Sequence, residues 1–322
     1  MKKIYTTLFI FLLLLQGIAK AQNNSLAFDG INDVTKTAGA SSLIAASNNI
    51  SMTCWVYPQN PSPNGTYDGF CGFRNNTDAD FYILHYNTTT VEARFRNSLG
   101  LNYDIIGSGI QINTWQHLAF TYDGSMLRYY RNGIKLDSIS ATGNIANVTD
   151  TFYMGGVPYN GDPFNLIGKL DEVSLWNKTL SLSEISCIYN SGIDSTDIGL
   201  QLLYKFNQGT VGGNNTTITS ITDATGHMNA TPYNFSMTGT TSNFVAGTSN
   251  VNATVASFCP GNNYIWGNDT LSEIGTYTHT FTTSAGCDST VQLTLTSVID
   301  TSVTKSGFIV YAHQTGVGVT YQ

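Results

Sequence analysis

Two tight-turn motifs in direct succession constrain the fold of this chain more than any other feature. Asp123-Gly124-Ser125 separates the alternating segments 115–122 and 127–131, and Asn132-Gly133 separates 127–131 from 134–138. Asn-Gly between alternating segments is the strongest local signal of a β-hairpin, because both residues of the turn adopt positive φ. The sequence therefore predicts an antiparallel meander in this region.

Short alternating segments bounded by turn residues continue from position 25 to position 176. They recur about every 8–12 residues, a spacing that is typical of an all-β sandwich. One helix is predicted, at 181–189. Ser181 and Glu184 have the spacing of a capping box there, and an apolar stripe follows.

The first 21 residues have the pattern of a secretory signal peptide. Lys2 and Lys3 precede an apolar run at 8–15, and Ala19-Lys20-Ala21 forms a cleavage site before Gln22. The apolar run is too short to span a bilayer, and no later stretch is longer and as apolar. We therefore predict a secreted or cell-surface protein without membrane insertion.

The predicted mature chain is acidic and poor in charge. Charged residues make up 11 % of the whole sequence. Without the three lysines of the signal peptide, 11 basic residues remain against 21 acidic ones. An acidic surface without basic clusters argues against nucleic acid and against anionic lipid as partners.

Several longer motifs carry a family resemblance. They are LAFDGIND at 26–33, ISMTCWVY at 50–57, WQHLAF at 115–120 and GKLDEV at 168–173. Together with the two turns they resemble the laminin-G-like, concanavalin A-type jelly-roll modules of bacterial secreted proteins, over about residues 25–190. The resemblance implies an antiparallel β-sandwich. It implies less about function, since this sandwich is found in lectins, glucanases and adhesion modules alike.

The sequence suggests a division into five parts. Residues 251–299 resemble the small β repeats near the C-termini of proteins exported by the type IX secretion system, and 300–322 resemble the start of another repeat. We therefore expect the natural protein to continue beyond Gln322 with a sorting domain that engages the export machinery. The parts are a signal peptide (1–21), a jelly roll (22–190), an extension packed on it or a linker (191–250), a small β module (251–299) and a further repeat (300–322).

Catalysis is not predicted. A retaining glycoside hydrolase needs two carboxyl groups about 5–5.5 Å apart. Asp171 and Glu172 are adjacent, so on a strand they point to opposite faces. His117, within the strand that begins the meander, is assigned a structural role. The protein is thus predicted to be non-catalytic, with a glycoside hydrolase as the alternative.

The resemblance also implies a structural calcium ion. In this family the first and last strands meet on the outside of the sandwich, which makes Asp29, Asp33 and Asp171 the candidate ligands. Carboxylate and carbonyl oxygens are the ligands that calcium prefers. The alternative is that these residues cap turns or pair with Lys169.

A loop rich in turn formers is the candidate ligand site. It offers Tyr159, Asn160, Asp162 and Asn165 within a short irregular span. Aromatic rings can pack on sugar rings, while amides and carboxylates can bind sugar hydroxyls. We predict binding of a polysaccharide or glycan, in adhesion or substrate capture. The alternatives are a loop without a ligand and a protein that serves only as a structural spacer.

The five cysteines divide into two groups. Cys259 and Cys287 bracket the small module, whose limited core favours a staple, and a disulfide between them is predicted. Cys54 alternates with apolar neighbours and is predicted to be a buried thiol. The pairing of Cys71 and Cys187 stays open at this stage.

Overall fold

The computed structural model describes most of the chain between residues 23 and 312. The described ranges are 23–60, 67–74, 80–146, 150–247, 253–258, 264–266, 269–282, 288–297, 303–306 and 309–312. The predicted signal peptide lies outside them.

The region 23–247 is built mainly from short strands joined by turns. The strands are β1 Asn24–Asp29, β2 Val34–Thr37, β3 Ile50–Pro58, β4 Asp68–Arg74, β5 Asp80–Asn87, β6 Thr90–Arg96, β7 Asn102–Ser108, β8 Gln116–Tyr122, β9 Met126–Arg131, β10 Ile134–Ser140, β11 Phe152–Met154, β12 Ile167–Trp176, β13 Leu200–Tyr204, β14 Thr231–Tyr233 and β15 Phe244–Ala246. A 3-10 helix covers Ala40–Ile44, and helix α1 covers Leu182–Ser191.

These strands form two antiparallel sheets. The eight-stranded sheet has the order β10-β9-β8-β3-β12-β1-β15, with β13 also paired to β12. The seven-stranded sheet has the order β14-β2-β11-β4-β5-β6-β7. The predicted all-β, concanavalin-like sandwich is therefore confirmed.

The core lies between the two sheets, where aromatic side chains from both interdigitate. Phe81 of β5 stacks on Phe120 of β8 with ring centres 4.7 Å apart, and Phe95 of β6 meets Tyr122 of β8 at 4.3 Å. All four side chains are fully buried. Burying a side chain of this size contributes about 1.5–3 kcal/mol to the free energy of folding, so these contacts hold the sheets face to face.

The local sequence signals form the structures that they predict. Asn132 and Gly133 both have positive φ, 50° and 76°, in the turn between β9 and β10. Ser181 caps helix α1: its hydroxyl accepts a hydrogen bond from the Glu184 backbone N–H, and the Glu184 carboxylate accepts one from the Ser181 backbone N–H. Within the described residues, no helix has the length and apolarity that crossing a membrane requires.

The segment after helix α1 packs on the sandwich rather than forming a loose linker. Strand β14 pairs with β2 at one edge of the seven-stranded sheet, and β15 pairs with β1 at one edge of the eight-stranded sheet. Phe206 and Phe244 are buried in the main core. The segment therefore completes both sheets.

The C-terminal part contains several small sheets. Its strands are β16 Ala253–Phe258, β17 Tyr264–Trp266, β18 Asp269–Leu271, β19 Gly275–Thr282, β20 Asp288–Ser297, β21 Val303–Ser306 and β22 Ile309–Ala312. The three-stranded sheet has the order β16-β20-β19, and β21 pairs with β22. The resemblance of this part to type IX export repeats stays a prediction.

Candidate functional site

Helix α1 covers part of the outer face of the eight-stranded sheet. Ile185 and Ile188 are buried in a cluster with residues of β8, β9 and β12. Tyr189 stacks on Trp55, with ring centres 5.5 Å apart. His117 lies beside both rings and is buried, and its burial lowers the pKa of the imidazole to about 3. The helix therefore covers the part of this face around Trp55, and His117 is buried beneath it, a position compatible with the structural role predicted for it.

The outer face of the seven-stranded sheet is crossed by the loop 155–166, which joins β11 to β12. Arg74 of β4 holds this loop against the sheet. Its guanidinium carbon lies 4.3 Å from the ring centre of Tyr159, 4.7 Å from that of Tyr82 and 5.0 Å from that of Phe164. A cation enclosed by three rings is stabilised by their negative faces. The loop is thereby fixed as a wall.

A cleft of about 440 Å³ lies between this wall and the sheet edge formed by β2 and β14. Small-molecule sites in proteins occupy about 300–1,000 Å³, so the cleft has the size of one or two sugar rings. Its lining combines apolar, aromatic and amide groups with one charged side chain. The lining residues are Ile31, Asn32, Val34, Lys36, Tyr153, Pro158, Pro163, Asn165 and Asn234.

The floor of the cleft follows from the register of three strands. Lys36 of β2 stands directly opposite Tyr153 of β11 on one side and Thr231 of β14 on the other. Its ammonium nitrogen lies 4.7 Å from the ring centre of Tyr233 and 5.9 Å from that of Tyr153. Alternate residues of β2 are buried, so Val34 and Lys36 point outward. Tyr233 does not line the cleft itself but lies next to it, against Lys36, and is 44 % exposed.

Two asparagines fix the rim of the cleft. The Asn234 side-chain amide donates to the Asn32 carbonyl oxygen at 2.9 Å, and the Asn165 amide donates to the Ile31 carbonyl oxygen. Both hydrogen bonds use the amide nitrogen. The two amide groups are thus oriented in advance, with oxygens that can accept hydrogen bonds from a ligand.

Of the four ligand residues predicted from the sequence, Asn165 alone lines the cleft. Tyr159 stacks on Arg74 instead. Asn160 occupies a tight turn at φ 50°, and the backbones of Tyr159 and Asp162 bond to each other across that turn. The Asp162 carboxylate accepts a hydrogen bond from the Phe164 backbone N–H. Three of the four residues therefore shape the wall rather than face the cleft.

The three predicted calcium ligands do not come together. The Asp33 carboxylate accepts a hydrogen bond from the Asp29 backbone N–H at 3.0 Å. Asp29 stands opposite Ile167 of β12, whereas Asp171 is four residues farther along that strand. At about 3.3 Å per residue this separation is roughly 13 Å. Asp171 therefore lies apart from the other two.

The donor set at Asp29 and Asp33 also does not fit a calcium ion, which takes about six to eight oxygens. Asp33 is buried, and its second oxygen accepts a hydrogen bond from the Ser242 hydroxyl. Burial raises the pKa of Asp33 to about 6, against the opposing effect of these hydrogen bonds. Asp29 accepts a hydrogen bond from the Ile31 backbone N–H. The described residues contain no cluster of three or more His, Cys, Asp or Glu suited to a metal.

The cysteines are only partly described. Cys54 and Cys71 are free, buried thiols that lie against each other in the core. Cys187 is disulfide-bonded, to a residue outside the described part of the chain. The predicted pair Cys259–Cys287 also lies outside the described residues.

Comparison with known proteins identifies the sandwich. Residues 29–186 match the laminin G family model of the concanavalin A-like lectin/glucanases superfamily. The chain contains a domain of this superfamily. The matched range of the concanavalin A-like domain ends before β13, β14 and β15, so Tyr233 and Asn234 come from outside it. A search of curated proteins finds no match.

Several solved structures are similar to this chain at low sequence identity. A candidate carbohydrate-binding protein from Bacteroides ovatus is 18 % identical, with a TM-score of 0.47; the alignment covers 66 % of this chain and 59 % of that protein. A heptameric pentraxin from Limulus polyphemus is 12 % identical, with a TM-score of 0.41. That alignment covers 56 % of this chain and 85 % of the pentraxin chain. Domain 4 of an arabinanase from Geobacillus stearothermophilus, solved with arabinotriose, is 20 % identical, with a TM-score of 0.40 and coverages of 50 % and 74 %.

Most residues in the cleft could not be identified as ligand residues from the sequence. Lys36 lies in a segment, VTKT, whose alternation places it on the outer face of a strand. This alternation predicts that Lys36 faces outward, but it does not indicate a role in ligand binding. Tyr153 and Tyr233 meet Lys36 only through pairing of strands that are far apart in the chain, so their proximity could not be foreseen.

Proposed function

We propose that this protein is exported and binds carbohydrate, without catalysis, in the cleft between the loop 155–166 and the edge formed by β2 and β14. The observation that carries the proposal is a cleft of sugar size lined by Tyr153 and by the oriented amides of Asn165 and Asn234. The exposed Tyr233 lies next to it, against Lys36 of the lining. Sites for small ligands combine apolar walls with a few placed polar groups.

In this proposal each part of the cleft has one task. Tyr233 and Tyr153 supply aromatic faces for the apolar C–H face of a pyranose ring. The amide oxygens of Asn165 and Asn234 accept hydrogen bonds from sugar hydroxyls. Both amides are already fixed by bonds to the loop 30–33, so binding costs little ordering entropy.

The opposite face of the sandwich supports the choice of this cleft. Helix α1 occupies the part of the outer face of the eight-stranded sheet around Trp55, so a ligand there would have to displace buried apolar residues. The cleft on the seven-stranded sheet requires no such displacement. Export and adhesion or substrate capture at the cell surface belong to the same proposal, and they rest on the signal peptide predicted from the sequence.

Binding of the full mature chain to a glycan array tests the proposal, with Tyr233→Ala as the variant. The matched control is Tyr57→Ala: Tyr57 also lies under a lysine, Lys169 at 4.8 Å, but on the eight-stranded sheet away from the cleft. We expect Tyr233→Ala to weaken binding at least tenfold, which corresponds to about 1.4 kcal/mol, and Tyr57→Ala to leave it unchanged.

Two results would overturn the proposal. One is the absence of binding to any glycan, which would favour a structural spacer. The other is release of reducing sugar from a polysaccharide, abolished by substitution of a single Asp or Glu, which would establish the glycoside hydrolase alternative.

A further inference from the structure

Lys36 is a cation in the cleft without a carboxylate partner among the described residues. Some other basic side chains are paired with carboxylates: Arg128 with Asp123 at 2.6 Å, and Lys178 with Glu184 at 2.7 Å. The Lys36 ammonium instead faces two tyrosine rings. The sequence contains 21 acidic residues and 14 basic ones, so Lys36 lacks a carboxylate partner although acidic residues are in excess.

We propose that the cleft selects an anionic sugar, whose carboxylate or sulfate group pairs with Lys36 while its ring packs beside Tyr233. This inference rests on the carbohydrate-binding function proposed above and names the class of ligand. Lys36 lines the cleft, and Tyr233 is next to it, with its ring centre 4.7 Å from the Lys36 ammonium nitrogen.

The cleft is expected to select an anionic sugar because the Lys36 ammonium would be paired in a complex with an anionic sugar and unpaired in a complex with a neutral one. Lys36 is the one charged residue among the residues that line the cleft in the described part of the chain. A neutral sugar that fills the cleft removes water from the ammonium group and returns no counter-charge, which is unfavourable. An anionic sugar replaces that water with a charge-assisted hydrogen bond, which is about twice as strong as a neutral one.

The groups around Lys36 do not cancel its charge. Its neighbours across the sheet, Tyr153 and Thr231, are uncharged. Asp33, three residues before Lys36 in the chain, is buried and accepts hydrogen bonds from Ser242 and the Asp29 backbone. A negative group on a ligand therefore meets one available positive partner. The acidic surface elsewhere opposes nonspecific adsorption of polyanions, which favours recognition of a placed negative group.

The test compares ligands that differ only in charge. Titration calorimetry of the full mature chain uses polygalacturonate and the same polymer with its carboxylates methyl-esterified. A second pair, a sulfated galactan and its desulfated form, separates sulfate from carboxylate as the anionic group. The variant is Lys36→Gln, and the matched control is Lys169→Gln, whose lysine also faces a tyrosine ring but outside the cleft.

We expect at least tenfold tighter binding to the anionic member of one pair, with that preference lost in Lys36→Gln and kept in Lys169→Gln. Affinity for the anionic polymer should also fall as salt is raised, because ions screen exposed charges. Equal binding of charged and neutral polymers, unaffected by Lys36→Gln, would overturn this inference and leave carbohydrate binding standing. Failure of every polymer and of the glycan array would overturn both proposals.

Discussion

Tyr189 lies on Trp55 with ring centres 5.5 Å apart and ring planes at 24°. Tyr189 belongs to helix α1 and Trp55 to the middle of the eight-stranded sheet, so the pair joins the helix to the sheet at the point where an aromatic side chain would otherwise face solvent. Trp55 is 8 % exposed as a result. The contact therefore covers the centre of this face of the sandwich, on the side opposite the cleft.

Replacing Tyr189 by Ala should destabilise the fold and spare ligand binding. Loss of a half-buried aromatic pair is expected to lower the free energy of unfolding by about 1–2 kcal/mol. Tyr233→Ala should do the reverse, since an exposed side chain contributes less than about 0.5 kcal/mol. Urea unfolding and glycan binding, measured on both variants, check the prediction. Equal destabilisation by the two variants would contradict it.

His117 should make stability depend on pH. Its pKa is lowered to about 3 by burial, so the unfolded chain binds a proton below about pH 6.5 that the folded chain does not. Stability is therefore present above that pH and is lost as the pH falls. The expected loss between pH 7 and pH 5 is about 2 kcal/mol. His117→Phe should remove this part of the slope, while His227→Gln, which replaces an exposed histidine, should keep it.

Cys54 and Cys71 should be protected thiols. Both are fully buried, and burial raises the pKa of Cys71 well above its usual value. Iodoacetamide should therefore leave both unmodified in the native protein and modify both after unfolding. One tryptic peptide, 37–74, contains the two residues and no other cysteine. If that peptide is instead lighter by two hydrogen atoms and resists alkylation, the two thiols are bonded to each other.

The disulfide at Cys187 can be mapped in the same digest without reduction. Cys187 lies in the tryptic peptide 179–205, and Cys259 and Cys287 share the peptide 206–305. Because Cys187 is disulfide-bonded, we expect its peptide to be joined to another. The pairing Cys259–Cys287, predicted from the sequence, would instead appear as a bond internal to 206–305, with peptide 179–205 free.

Calcium binding by Asp29, Asp33 and Asp171 stays an untested prediction, which thermal melting with and without EDTA decides. Since Asp171 lies apart and both Asp33 oxygens accept hydrogen bonds, we expect the melting temperature not to change. A ligand that binds only the folded state would raise it. A fall in EDTA that Asp29→Ala abolishes would restore the calcium site.

The parts of the fold that depend on local sequence were predictable. Asn132 and Gly133 form their turn because few other residues adopt positive φ at low cost, and Ser181 with Glu184 caps the helix through contacts three residues apart. The alternation of β3 correctly predicted that Cys54 is buried in the core. In each case, the determining contacts lie within a few residues along the chain.

The candidate site was predictable only at Asn165, because its other components meet through distant pairings. Tyr159 was predicted to be a ligand residue because it lies in a loop rich in turn formers, but its ring packs against the Arg74 guanidinium of β4. Tyr233 lay in a segment whose composition also fitted a linker, until β14 paired with β2. Cross-strand partners more than 100 residues apart leave no mark in a single sequence.

The pairing of β14 with β2 and of β15 with β1 has a practical meaning for dividing this protein into parts. A fragment cut at the family boundary would retain most of the sandwich but would leave β1 and β2 as unpaired edges, which invite association with other chains. It would also lose the strand that supplies Tyr233. Recombinant versions that end near residue 190 would thus be prone to aggregate and unable to report on the ligand, whereas a boundary after β15 keeps the recognition surface whole.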